Sequence, residues 1–173
     1  MYLLLNLCIF IPLAGFIVTA FIPGRRETLL SWAAFVTVGL HAAIFAALAI
    51  AWALNGFPSL NIKEVVLFKT PGYEFFIDFR FDKITAVYAL VGSILSFLVT
   101  VYSRTYLHRE KGYKRFFSNT LFFYIGYNIV VFAGNLETLF IGWEILGIAS
   151  FLLIAFYRNR YLPVKNAVKV FSI

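Results

Sequence analysis

The sequence predicts an all-α membrane protein with five transmembrane helices and the start of a sixth, and with a short β-hairpin in the outer loop between helices two and three. Three observations carry this prediction. Of 173 residues, 62% are hydrophobic and only 13% charged, against about 25% charged in soluble domains, and mean hydropathy is +0.87. Apolar runs near the roughly 20 residues that cross about 30 Å of hydrocarbon recur along the chain between short charged loops. One stretch, EFFIDFRFD at residues 74–82, alternates with a period of two, as a strand does.

In chain order, the first helix spans residues 2–22 and stops at the breaker pair Pro23-Gly24. Pro12 near its middle favours a kink, and Gly15 leaves room for a close neighbour. The second spans 28–54 and ends at Asn55-Gly56. It is longer than a minimal span, which implies tilt or projection beyond the lipid. The loop over 57–82 is too polar to cross. There Phe75, Ile77, Phe79 and Phe81 fall on one face, and Asp78, Arg80 and Asp82 on the other. Glu64–Phe68 is a β-branched, apolar run, and Thr70-Pro71-Gly72-Tyr73 has the Pro and Gly of a type II turn. Asp82 is placed to cap the third helix, over 83–102. The fourth spans 116–133 and the fifth 136–157, with Gly134-Asn135 as a tight turn between them. Pro163 suits the first turn of a sixth helix, 163–173. About ten residues are half a span, so the expectation is a piece of a longer chain or a partner that completes the helix. The whole of 1–173 reads as a single transmembrane domain.

The net charge of +7 is distributed by loop rather than on one face. The loops after helices one, three and five carry Arg25 and Arg26, then Arg104, Arg109, Lys111, Lys114 and Arg115, then Arg158, Arg160 and Lys165. The intervening loops are neutral to acidic. By the positive-inside rule the odd loops are cytoplasmic, which puts the N-terminus and the hairpin on the outer side. The same distribution argues against nucleic acid and for lipid or subunit contacts. A single cysteine, Cys8, lies in an apolar span and offers neither a disulfide framework nor a CxxC site. The N-terminus lacks the basic n-region of a signal peptide and reads as the first span. No metal-ligand spacing, phosphate loop or paired haem histidines occur, so the chain is expected to hold no metal or cofactor.

The sharpest signal is Glu144, about eight residues into the fifth helix, or roughly 12 Å deep. A charge there costs about 2.5–3.5 kcal/mol on insertion scales and persists where it faces a bundle interior, water or an opposite charge. It reads as a station on an ion path or as a protonated interhelical hydrogen-bonding group. Gly147, on its face, would admit a neighbouring helix or water. Lys169 on the sixth helix is the second intramembrane charge, able to join a water-linked relay or to snorkel to the interface. His41 could pass protons or bond between helices. Asn128 and Ser150 are candidate relay or water-lining groups, and Ser93, Ser96, Thr100, Tyr124 and Tyr127 could do the same or simply pack.

The run GNLETLFIGWEILGIASFLLIAFY resembles the fifth-helix signature of the antiporter-like subunits of complex I, in particular the L-type subunit. The resemblance rests on Asn135, Leu136, Gly142, Trp143, Glu144, Gly147, Ser150, Leu152 to Ile154, Phe156 and Tyr157. VYSRTYLHREKGYKRFF, FFIDFRFDKIT and PVKNAVKVF resemble the family's basic loop, outer hairpin and sixth-helix opening. The resemblance implies the N-terminal portion of a proton- or Na⁺/H⁺-translocating module of ten or more helices, in a bacterial inner membrane. In it Glu144 pairs with a Lys on a later broken helix, and Lys169 takes the place of a sixth-helix Lys. It further implies partner membrane subunits, with flavin, iron–sulfur clusters and quinone only in other subunits. Related motifs in Mrp-type antiporters, membrane-bound hydrogenases and an inorganic-carbon uptake system leave those functions open. A purely structural subunit is the reading from a different class.

Overall fold

A computed structural model describes residues 1–172. The elements run α1 (Tyr2–Phe21), α2 (Glu27–Leu54), β1 (Leu60–Thr70), β2 (Tyr73–Phe81), α3 (Lys83–Tyr106), α4 (Tyr113–Phe132), α5 (Leu136–Ile154) and α6 (Tyr161–Phe171). Four of these, α1, α2, α3 and α5, are long and apolar enough to cross a membrane, and the chain is an integral membrane protein. The fourth helix of the sequence reading, α4, has the length, 20 residues, but a less apolar composition. The reason lies in the packing: α4 touches α1, α2, α3 and α5, so its Asn119, Tyr124 and Asn128 are buried against protein.

Helix ends differ from the sequence reading by a few residues. The third helix continues to Tyr106 and the fourth begins at Tyr113, so both ends of the basic segment 104–115 are helical. The Arg104 guanidinium lies 4.3 Å from the Trp32 ring centroid, which shields the last turn of α3. The fifth helix stops at Ile154, and Arg115 Nη2 donates 2.8 Å to the carbonyl of Phe156 just beyond it.

Lipid tails are as apolar as leucine, so helices here associate by close packing rather than by escape from water. A Cβ at Gly15 would overlap Thr37, which explains the close approach of α1 to α2. Pro12 lies inside α1. One buried cluster, with Leu5, Phe45, Trp52, Phe81 and Phe132, sits beneath the hairpin. A second, with Leu30, Val38, Leu107, Phe117 and Phe156, lies toward the opposite end.

The hairpin is antiparallel, with Leu60 opposite Phe81 and Thr70 opposite Tyr73, and two irregularities between Lys63 and Phe68. Gly72 has φ +97°, as the second central residue of a type II turn requires. Phe79 and Phe81 are buried, and Asp82 Oδ1 accepts from the N–H of Ile84 and of Thr85, each at 3.0 Å, capping α3. Burial beside Gly134 pushes the Asp78 carboxyl up. On the exposed face Glu74 pairs with Lys63 at 2.6 Å and with Lys69, and hydrogen bonds from Lys63 and Lys69 hold its carboxyl down at about 2, against an ordinary 4.5. A depressed carboxylate contributes stability above its unfolded pKa and loses it on acidification through the folded one. Hairpin amide protection, corrected for intrinsic exchange, is therefore expected to fall between pH 4.5 and about 2. Glu74→Gln should flatten that dependence, and a slope unchanged by it would mean that another group titrates.

Candidate functional site

Glu144 is positioned by its neighbours on α5. The Asn135 side chain caps the helix by accepting from the Thr138 N–H at 2.9 Å and donates to the Phe76 carbonyl at 2.8 Å. Thr138 Oγ1 accepts from the Asp78 N–H at 3.0 Å, so the hairpin clamps the start of α5. Rotation about the helix axis is set by glycines: a Cβ at Gly142 would come 2.8 Å from the Val130 backbone nitrogen, and one at Gly126 would come 2.9 Å from the Leu146 nitrogen. With Gly142 against α4, Glu144 lies about 200° further round and points away from that helix. It is exposed, and among the described residues it has no ion pair or hydrogen bond. Nothing comes within 4 Å of a Cβ at Gly147, so the room that glycine leaves is open.

Lys169 is exposed on α6, whose single buried residue is Ala167. No ion pair joins it to Glu144 among the described residues. Lys165 lies 5.5 Å from the Tyr161 ring centroid. Ser150 is half-buried on α5.

Four other candidates are brought together. His41 on α2 is fully buried, and its Nδ1 lies 2.7 Å from Tyr124 Oη on α4. Asn128, also buried, donates to the Tyr124 carbonyl at 2.8 Å, and its side chain neighbours the imidazole. Ser93 of α3 lies beside the Tyr124 hydroxyl, and His41 Nε2 has no hydrogen-bond partner. A polar knot thus joins α2, α3 and α4 inside an apolar bundle. It contains one group that can accept or donate a proton and one ring nitrogen free to do so.

Tyr124 is the member with the weakest sequence signal, because tyrosines are common at packing positions. Its spacing of four from Asn128 placed both on one face of α4. Tyr124→Phe would leave the His41 Nδ1 unpaired in the bundle, and a loss of about 1 kcal/mol is expected. Thermal unfolding in detergent would measure it; an unchanged midpoint would mean that the contact is energetically silent.

Residues 68–117 match the family described as NADH-Ubiquinone oxidoreductase (complex I), chain 5 N-terminus. NADH-quinone oxidoreductase subunit L of Escherichia coli is 30% identical over 174 residues, covering 98% of this chain and 28% of the relative. The Pseudomonas aeruginosa subunit L is 31% identical over 177 residues, again covering 98% and 28%. NADH-ubiquinone oxidoreductase chain 5 of Neurospora crassa is 32% identical over 167 residues, covering 94% of this chain and 23% of the relative. The chain therefore spans between 23% and 28% of the length of these relatives. With the membrane helices, the hairpin and the Glu144 helix in place, the chain belongs to the L-type, or chain 5, family of antiporter-like complex I subunits, whose N-terminal portion it matches.

Proposed function

We propose that the chain is part of a proton-translocating antiporter-like subunit of a complex I type NADH–quinone oxidoreductase. Electron transfer elsewhere in the complex drives proton movement past Glu144. One observation carries this reading: a carboxylate in the apolar body of a membrane helix, turned away from its nearest partner helix and accompanied by the open face of Gly147. Such a charge facing lipid is costly, so the Glu144 face is read as the side on which further protein of the subunit packs. A cation approaching from there would favour the carboxylate, and its withdrawal would favour the protonated form. Glu144 would then exchange protons as charges shift along the module, with Lys169 as a neighbouring station and Ser150 lining the water between them.

The His41, Tyr124 and Asn128 knot serves as a second polar station, one helix layer removed. In this reading α4 crosses as a fifth span, its polar groups shielded by four neighbouring helices. The N-terminus and hairpin face outward, and the subunit binds no redox cofactor; flavin, iron–sulfur clusters and quinone belong to partner subunits. The test is purification of the tagged full-length protein from its native membrane. Co-purifying flavin and iron–sulfur partners with NADH-driven proton uptake support the proposal. Isolation with cation-antiporter partners alone would overturn it in favour of an Mrp-type or carbon-uptake role.

A further inference from the structure

At the end of the bundle away from the hairpin, a cavity of about 540 Å³ is lined by Arg109, Lys111, Arg115, Arg158 and Arg160, with Glu110 as its one acid. None of these five cations is in an ion pair among the described residues. Two helix N-termini open at its rim, since the N-cap residues of α4 and α6, Gly112 and Arg160, both line it, and neither helix has a side-chain cap. The Tyr113 N–H is taken by the Glu110 carbonyl at 3.2 Å, but the positive ends of the two helix dipoles favour an anion there.

The cavity does not end in the basic loops. Phe156 and Tyr157 are shared with a second cavity of about 370 Å³, and Phe116 and Leu153 connect that one to a third of about 330 Å³ between α3 and α4, with Leu153 of α5 at its edge. Tyr102, Tyr106 and Tyr157 flank the middle section at the level where tyrosines mark a membrane interface. The far section is apolar apart from Ser96 and Thr120. A cationic mouth, an aromatic belt and an apolar furrow thus follow one another along a single groove.

We infer that this groove binds an anionic phospholipid, its phosphate in the basic mouth and an acyl chain in the furrow between α3 and α4, against Leu153 of α5. Charge complementarity and the order of the three sections select this occupant over an acidic protein segment, which has no use for a furrow descending into hydrocarbon. The groove is also separate from the Glu144 face. Leu153 lies nine residues after Glu144, about half a turn out of phase on α5, so protein packed against Glu144 leaves the furrow open.

The test uses the full-length protein in its native complex, in phosphatidylcholine nanodiscs. A minority of phosphatidylglycerol carries a photoactivatable group at the end of one acyl chain; the same group on phosphatidylcholine serves in parallel. Phosphatidylglycerol is expected to label the surroundings of Leu95, Val99 and Leu153 several-fold more than phosphatidylcholine, with no competition from inorganic phosphate. Arg158→Gln with Arg160→Gln should reduce the preference roughly five-fold per cation removed. Equal labelling by the two lipids, or none in the furrow, would overturn the inference. Competition by inorganic phosphate would assign the mouth to a free anion and overturn it equally. The two-lipid comparison in the unsubstituted protein stands even where the double variant does not assemble, and none of these readouts depends on pumping.

Discussion

Glu144→Gln is expected to depress proton pumping in membrane vesicles roughly ten-fold or more, since a positioned proton-transfer group contributes about 10²–10⁴-fold where it is essential. Glutamine keeps the shape and one hydrogen-bond acceptor but can neither carry a charge nor give up a proton near neutral pH. The carboxylate makes no ion pair or hydrogen bond with the described residues, and α5 is held instead by Asn135, Gly142 and the hairpin. Assembly should therefore survive, as judged by the amount of intact complex in the membrane. Normal pumping at normal assembly would remove Glu144 from the path. A purely structural role would show as unaffected transport with Gln and loosened packing with Leu.

Gly142→Val is expected to be the most damaging small substitution, costing about 1–3 kcal/mol or more from overpacking. The new Cβ would meet the Val130 backbone nitrogen at 2.8 Å, and a backbone atom, unlike a side-chain tip, cannot swing aside. Relief requires α5 to retreat or rotate, which would also turn Glu144 out of register. Lower accumulation in the membrane and a lower unfolding midpoint in detergent would report the first effect. Gly147→Ala is the control on the same helix, because a Cβ there meets nothing within 4 Å. Equal tolerance of both substitutions would mean that the α4–α5 contact is looser than the structure has it.

The helices were legible because each apolar run is bounded by a breaker or a charge, and the hairpin because Ile77 to Asp82 alternates strictly. Asp82 could be recognised as a cap from its place between a strand and an apolar run. The helix ends were less so: Arg104 looks like loop by composition, yet it completes α3 by lying over Trp32, 72 positions earlier in the chain. The exact span of α4 was similarly obscured, because its Tyr124 and Tyr127 hydroxyls find their partners on other helices, His41 of α2 and the Tyr88 carbonyl of α3.

By itself, the sequence determined the class of protein, the order of its elements and the presence of a carboxylate within the apolar part of α5. Those properties are local, depending on hydropathy over about 20 residues and on turn chemistry over four. The tertiary structure alone decided the direction of Glu144, through two glycines on neighbouring helices. It alone joined His41 to Tyr124, 83 residues apart in the chain. It also aligned basic residues from two separate loops at the mouth of one groove. Such relations depend on which helix faces meet, and hydropathy, which makes every face of these helices apolar, carries no record of that.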